Sequence, residues 1–159
     1  IPRMVLGRAV LTAGTLAEAL AILRDAPSGG FHFGLMQRGE RRILSVEYGG
    51  GECSVREVTA PALHANHALH LPRGLEGQIV TESSRDRQAW GDRLLAEGRA
   101  PLEVLRDHSG PGLPIRRDDA DDPDEENTLG TAVFTLTGAG LDWSIHDRAA
   151  GPPRYSGTA

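Results

Sequence analysis

The sequence predicts an α+β fold with antiparallel sheet, and three observations carry that prediction. Apolar residues recur at helical spacing over roughly the first 25 residues and again over 83–97. They alternate with polar residues over 31–58 and 131–147, with glycine-rich turn clusters between the runs. The helical and strand blocks are segregated along the chain, the pattern of a layered α+β domain.

Taken in order, Leu6, Ala9, Val10 and Ala13 mark a first helix. Gly14 interrupts it, Thr15 to Glu18 reads as a capping box, and Leu16, Ala19, Leu20 and Leu23 form the stripe of a second helix. Pro27-Ser28-Gly29-Gly30 stops it. Phe31, Phe33 and Leu35 then alternate on one strand, Arg38 to Arg41 is a hairpin turn, and Leu44, Val46 and Tyr48 alternate on the return. Gly49-Gly50-Gly51 is a second turn, Cys53 to Val58 a third strand, and Ala62 to Leu69 a fourth candidate of unusual polarity. A helix begins at Ser83 or Ser84 with Trp90 and Leu94 on its inner face, and Gly98 stops it. Pro101 opens a short helix with Leu102 and Leu105. Residues 107–127 are a polar connection, and the crowded acidic residues from Asp118 to Glu126 repel one another into a solvated loop. Thr131 to Thr137 and Leu141 to Asp147 form a last hairpin around Gly138-Ala139-Gly140, and Gly151-Pro152-Pro153 breaks structure near the end. Apolar residues on both faces of several strands suggest a sheet covered on two sides.

Composition bounds the function classes. With 159 residues, 39% hydrophobic and 25% charged, the chain is one domain's worth of globular protein or part of a larger domain. Aromatic residues reach only 4%, so Leu, Val, Ile and Ala must build the core. A net charge of -5 argues against nucleic acid as a partner. No apolar run approaches the roughly 20 residues that span a bilayer, so no membrane partner is expected. The single cysteine, Cys53, cannot form an internal disulfide, which allows a reducing compartment, and a cytoplasmic location is expected. The opening Ile1-Pro2 reads as a fragment or a processed piece.

The densest group of chemically capable side chains is His64-Ala65-Asn66-His67. An asparagine at the end of a strand can aim its amide N–H at a developing oxyanion, a donor that contributes roughly 3 kcal/mol to a transition state. The alternative is a turn residue bonding local backbone. His64, His67 and His70, with His32, invite a metal reading; on a strand His67 points away from the other two, so no metal is expected. Glu47, at the end of its strand, is either a buried carboxylate beside a basic residue or an exposed terminus, and a structural role is the favoured expectation. Arg87 either anchors a substrate carboxylate or bonds a helix end or a carboxylate such as Glu47. The acidic run lacks the glycine and terminal glutamate of an EF-hand loop.

An ordered set of motifs then carries a resemblance. It comprises Gly30-Phe31-His32, Ser45-Val46-Glu47 and His64 to His67, then Ser84-x-x-Arg87, Leu105-Arg106-Asp107-His108, the Thr128 to Leu136 strand and the Gly151-Pro152-Pro153 ending. Together they resemble the C-terminal part of the penicillin acyltransferase family of cysteine N-terminal-nucleophile hydrolases. The resemblance implies a four-layer αββα sandwich, of which residues 1–159 are the C-terminal portion of a single larger domain. It implies a precursor that cleaves itself to expose an N-terminal cysteine. That thiolate attacks the amide or thioester carbonyl of a small N-acyl substrate, and the α-amino group serves as base. Asn66 maps onto the oxyanion-stabilising position, and no cofactor is implied. The chain departs from the family in having no N-terminal cysteine, serine or threonine, and in carrying Ala68 where an aromatic residue is usual. Cys53 lies inside the strand meander and is expected to be a small structural hydrophobe. The nucleophile, and the residues that position substrate around it, are therefore expected on an upstream segment, the partner this chain requires. The competing function is a non-catalytic binding or scaffolding module on the same sandwich. Neither the acyl group, the acceptor nor an oligomeric state is specified by these residues.

Overall fold

A computed structural model describes residues 1–24, 27, 29–119 and 126–159 and has the α+β architecture that the periodicities predict. The chain divides into two compact units: Ile1–Ala60 with Asn66–Val80, and Pro61–Ala65 with Thr81–Ala159.

The first unit opens with helices α1 (Arg3–Val10) and α2 (Leu16–Arg24). Thr15 Oγ1 accepts the Glu18 amide at 3.1 Å, and the Glu18 carboxylate accepts the amide of Gly14 at 2.8 Å. This is the expected reciprocal cap, with the returning bond taken from Gly14. Of the expected Pro27 to Gly30 stop, Ser28 lies outside the described residues. Strands β1 (Phe31–Met36), β2 (Ile43–Gly49) and β3 (Glu52–Glu57) form an antiparallel meander with β2 in the centre. Both turns use the left-handed region at glycine: Gly39 at φ 85° in the first, and Gly50 and Gly51 at 58° and 83° in the two-residue second.

The register explains the core. Phe33 lies across from Val46, Leu35 from Leu44, Val46 from Val55 and Tyr48 from Cys53, so these residues share one face. Leu6, Leu16, Ala19 and Leu23 of the helices bury against that face, and the Phe33 and Tyr48 rings stack with centroids 5.7 Å apart. The opposite face of the sheet carries His32, Ser45, Glu47 and Ser54. This second face is polar at its middle, yet Glu47 and His70 are buried there, so the sheet is covered on two sides although the second covered face is not apolar.

In the second unit α4 (Glu82–Ala96) is followed by α5 (Pro101–Leu105) and by strands β4 (Thr131–Leu136), β5 (Leu141–His146) and β6 (Tyr155–Thr158) in a second antiparallel meander. Helix α4 starts slightly earlier than the sequence suggested, because Thr81 is the cap: its hydroxyl accepts the Ser84 amide. Gly98, at φ 83°, ends it as expected. Its buried stripe is Ser84, Gln88, Gly91 and Leu94, with Trp90 only half-buried. The acidic residues between 120 and 125 lie outside the described residues.

Three elements differ from expectation. Residues 62–69 form no strand. Within this stretch Leu63 fills the notch left by Gly91, both in the second unit, and Leu71, just beyond it, is buried. Directly after this segment, Pro72 at the first position opens a short helix, α3 (Pro72–Gly77), that carries no apolar periodicity to announce it. Beyond Pro152-Pro153 the chain resumes regular structure as β6, an edge strand of four residues pairing Tyr155 with Ile145 and Gly157 with Trp143. Among the described residues no helix is long and apolar enough to cross a membrane.

Candidate functional site

The polar face of the first sheet is organised by Glu47. Leu44, Val46 and Tyr48 point to the helices, so the side chain of Glu47 must project from the other face of the central strand. It is 2% exposed. Its carboxylate accepts three consecutive backbone N–H groups: Leu69 on Oε1 at 2.6 Å, and His70 and Leu71 on Oε2 at 2.9 and 2.6 Å. Three converging donors answer the desolvation that a buried carboxylate otherwise suffers. They also satisfy three backbone amides that no strand ladder pairs.

The side chain of His70 continues the network. Its Nδ1 lies 2.8 Å from Ser54 Oγ and its Nε2 3.0 Å from Ser45 Oγ, which is in turn 2.9 Å from His32 Nε2. Glu47 Oε1 is 3.7 Å from His70 Nε2. The hydroxyl and imidazole protons satisfy this chain in either direction between Ser54 and His32, with all its hydrogen bonds running the same way through His70 and Ser45. Just before it, Gln78 clips Ala68 twice, accepting its N–H at 2.7 Å and donating to its carbonyl at 3.0 Å. Every backbone amide from 68 to 71 is thus held by a side chain of the same unit. Asn66 stands at the exposed start of this held segment, two residues before the Gln78 clip. The strand that was to carry it is absent; side-chain acceptors take the ladder's place.

The histidines fall into separate groups. His32 and His70 are joined through Ser45, while His64 belongs to the second unit, where its Nδ1 lies 2.8 Å from the Ala65 carbonyl. Among the described residues no group of three or more metal-ligating side chains is found. Cys53 is half-buried against the core in β3, and burial pushes its thiol up, with the neighbouring Arg24 opposing. A raised thiol pKa lowers the thiolate fraction on which nucleophilic attack depends.

Arg87 bonds its own helix, its Nε donating to the Ser83 carbonyl at 3.1 Å and the Ser83 hydroxyl at 3.2 Å. Burial, then the adjacent Arg117 charge, pulls its pKa down, with Glu126 opposing. Arg117 is itself buried, with Nη1 3.4 Å from Ser83 Oγ and 3.5 Å from Glu126. These contacts fit the helix-end alternative for Arg87. In the same unit Gln88 accepts the Ala65 amide at 2.8 Å and donates to the Leu63 carbonyl at 3.0 Å.

Sequence reasoning missed Gln78, Gln88 and the serine bridges. For Ser45 a signal existed: polar residues at 45 and 47, between Leu44, Val46 and Tyr48, require a polar layer over the second face. Gln78 and Gln88 are single glutamines with no distinguishing context.

Helices on one face of an antiparallel sheet, with the irregular segment 68–71 held over its polar face, define an α+β protein. A family model described as acyl-coenzyme A:6-aminopenicillanic acid acyl-transferase matches residues 1–150. The chain belongs to that family, which is N-terminal-nucleophile-hydrolase-like and comprises acyltransferases and hydrolases. No curated protein and no solved structure matches the chain significantly.

Proposed function

We propose that this chain supplies the oxyanion-stabilising half of a self-processing cysteine amidohydrolase or acyltransferase that acts on a small N-acyl compound. The carrying observation is the held backbone from Ala68 to Leu71, which gives Asn66 a rigid base although no strand is present. A preorganised donor needs such a base, because a hydrogen bond that must first be ordered loses its catalytic advantage. In this reading residues 1–159 are the C-terminal portion of a larger four-layer αββα domain, located in the cytoplasm. The nucleophile lies on an upstream segment. The place of Cys53 against the core, where burial raises its thiol pKa, supports that assignment.

The chemistry runs in two halves. The upstream cysteine thiolate adds to the carbonyl carbon, and Asn66 donates its side-chain N–H to the resulting alkoxide. Collapse breaks the C–N bond, and the amine leaves with a proton from the nucleophile's α-ammonium group. Water or an amine then attacks the thioester, passes a proton back to the α-amine, and releases the acyl group with the thiolate restored.

Intact-mass measurement and N-terminal sequencing of the product of the complete gene test the self-processing step. Two chains are expected, the larger beginning with cysteine and containing these 159 residues; a single chain without an upstream cysteine would overturn the nucleophilic mechanism and leave a binding module. In the processed enzyme Asn66→Ala is expected to lower kcat about 100-fold or more. KM should change little; an unchanged kcat would return Asn66 to a turn residue.

A further inference from the structure

We infer that Glu47 is a positioning residue for acyl transfer, setting the place of Asn66 through the backbone of residues 69–71. The inference rests on the oxyanion reading of Asn66 and adds the device that holds it. Fold alone does not call for this carboxylate. Burying an acidic group costs more than burying an apolar one of similar volume. In a strand, successive N–H groups point to opposite sides, so three in a row cannot reach one acceptor. At Leu69, His70 and Leu71 all three converge on Glu47, and the segment curls around the carboxylate.

Its conformation is therefore dictated by one side chain on the central strand of the sheet, where β1 and β3 flank β2 on both sides. His70 adds a lock, because its ring is bridged to Ser45 on β2 and Ser54 on β3. Between the clamp and Asn66 lie only His67 and Ala68, and Gln78 holds both polar atoms of the Ala68 backbone. A shift at Glu47 has a short and stiff path to the catalytic amide. Displacements of about 1 Å at such a group can cost about 100-fold in rate.

The test uses Glu47→Gln in the complete, processed enzyme. The substrate probe is a panel of straight-chain N-acyl p-nitroanilides, read by p-nitroaniline release. The variant keeps the volume but turns one acceptor oxygen into a donor that faces backbone N–H groups. On the best substrate kcat is expected to fall about 30- to 100-fold, with KM changed less than about threefold. Amide hydrogen exchange over 66–71 should accelerate, and that readout needs no substrate. In an Asn66→Ala background Glu47→Gln should cost almost nothing further in kcat, because the group it positions is gone. An equal loss in both backgrounds would overturn the inference and leave Asn66 as proposed. So would unchanged kcat in Glu47→Gln, or unchanged exchange over 66–71. If Asn66→Ala itself retains full kcat, the oxyanion reading fails and the positioning role falls with it. Should Glu47→Gln not fold, Gln78→Ala takes its place. Its expected loss is about tenfold in kcat, again absent in the Asn66→Ala background.

Discussion

Strand β2, in the middle of the first sheet, buries Leu44, Val46, Glu47, Tyr48 and Gly49, whereas β5, in the middle of the second, buries only His146. The neighbours differ in the same way. Phe33 and Val55 pack on the first core, while Phe134 of β4 and Tyr155 of β6 remain 51% and 56% exposed. Both sheets are three-stranded antiparallel meanders of adjacent strands, so topology does not account for the difference. What covers each sheet does. Within its own unit the first has two helices on its apolar face and the clamped segment 68–71 on its polar face. A central strand becomes fully buried only when both faces are occupied. A buried face can also hold a carboxylate only if donors are brought to it, as Glu47 shows.

Three substitutions sharpen or break that contrast. The largest effect is expected at Gly49, where an added Cβ would stand 2.6 Å from the Gly30 Cα, a backbone atom with no freedom to yield. Gly49→Ala should destabilise the protein by about 2 kcal/mol in urea denaturation. No loss would mean that the entry to β1 is looser than described. Next is Tyr48, fully buried with a hydroxyl that has no hydrogen-bond partner among the described residues and a pKa pushed up by burial. Tyr48→Phe removes an unsatisfied polar atom and should stabilise by about 1 kcal/mol. A loss instead would reveal a partner for that hydroxyl. The smallest effect is expected in the second sheet, where Phe134→Ser should change stability by less than about 0.5 kcal/mol. A loss of several times that size would show that this outer face is covered, and the contrast between the sheets would disappear.

Much of the architecture was legible from pattern. The Thr15 cap, the paired glycines 50 and 51 and the Gly98 stop are local statements, each set by a dihedral or a hydrogen bond within a few residues, and all are found in the structure. The segment 62–69 was misread because its polarity was treated as an oddity of a strand. The amides of Ala68, Ala65 and Leu69 are in fact satisfied by Gln78, Gln88 and Glu47, which lie 10, 23 and 22 residues away. The short edge strand β6 was missed for a similar reason. Four residues ending in Ser156-Gly157-Thr158 carry almost no β signal, and only pairing with β5 orders them.

The sequence by itself determined the α+β class, the strands of the first meander and the identity of Asn66 and Glu47 as residues of interest, because periodicity and turn chemistry act over short range. Only the tertiary structure decided that Glu47 binds three amides of one segment, that His70 bridges Ser45 and Ser54 while His64 lies in another unit, and that Asn66 begins an irregular stretch with no strand to carry it. These are long-range partnerships. A side chain's chemistry says what it can bind, and the fold selects which of many distant donors is brought within hydrogen-bond reach.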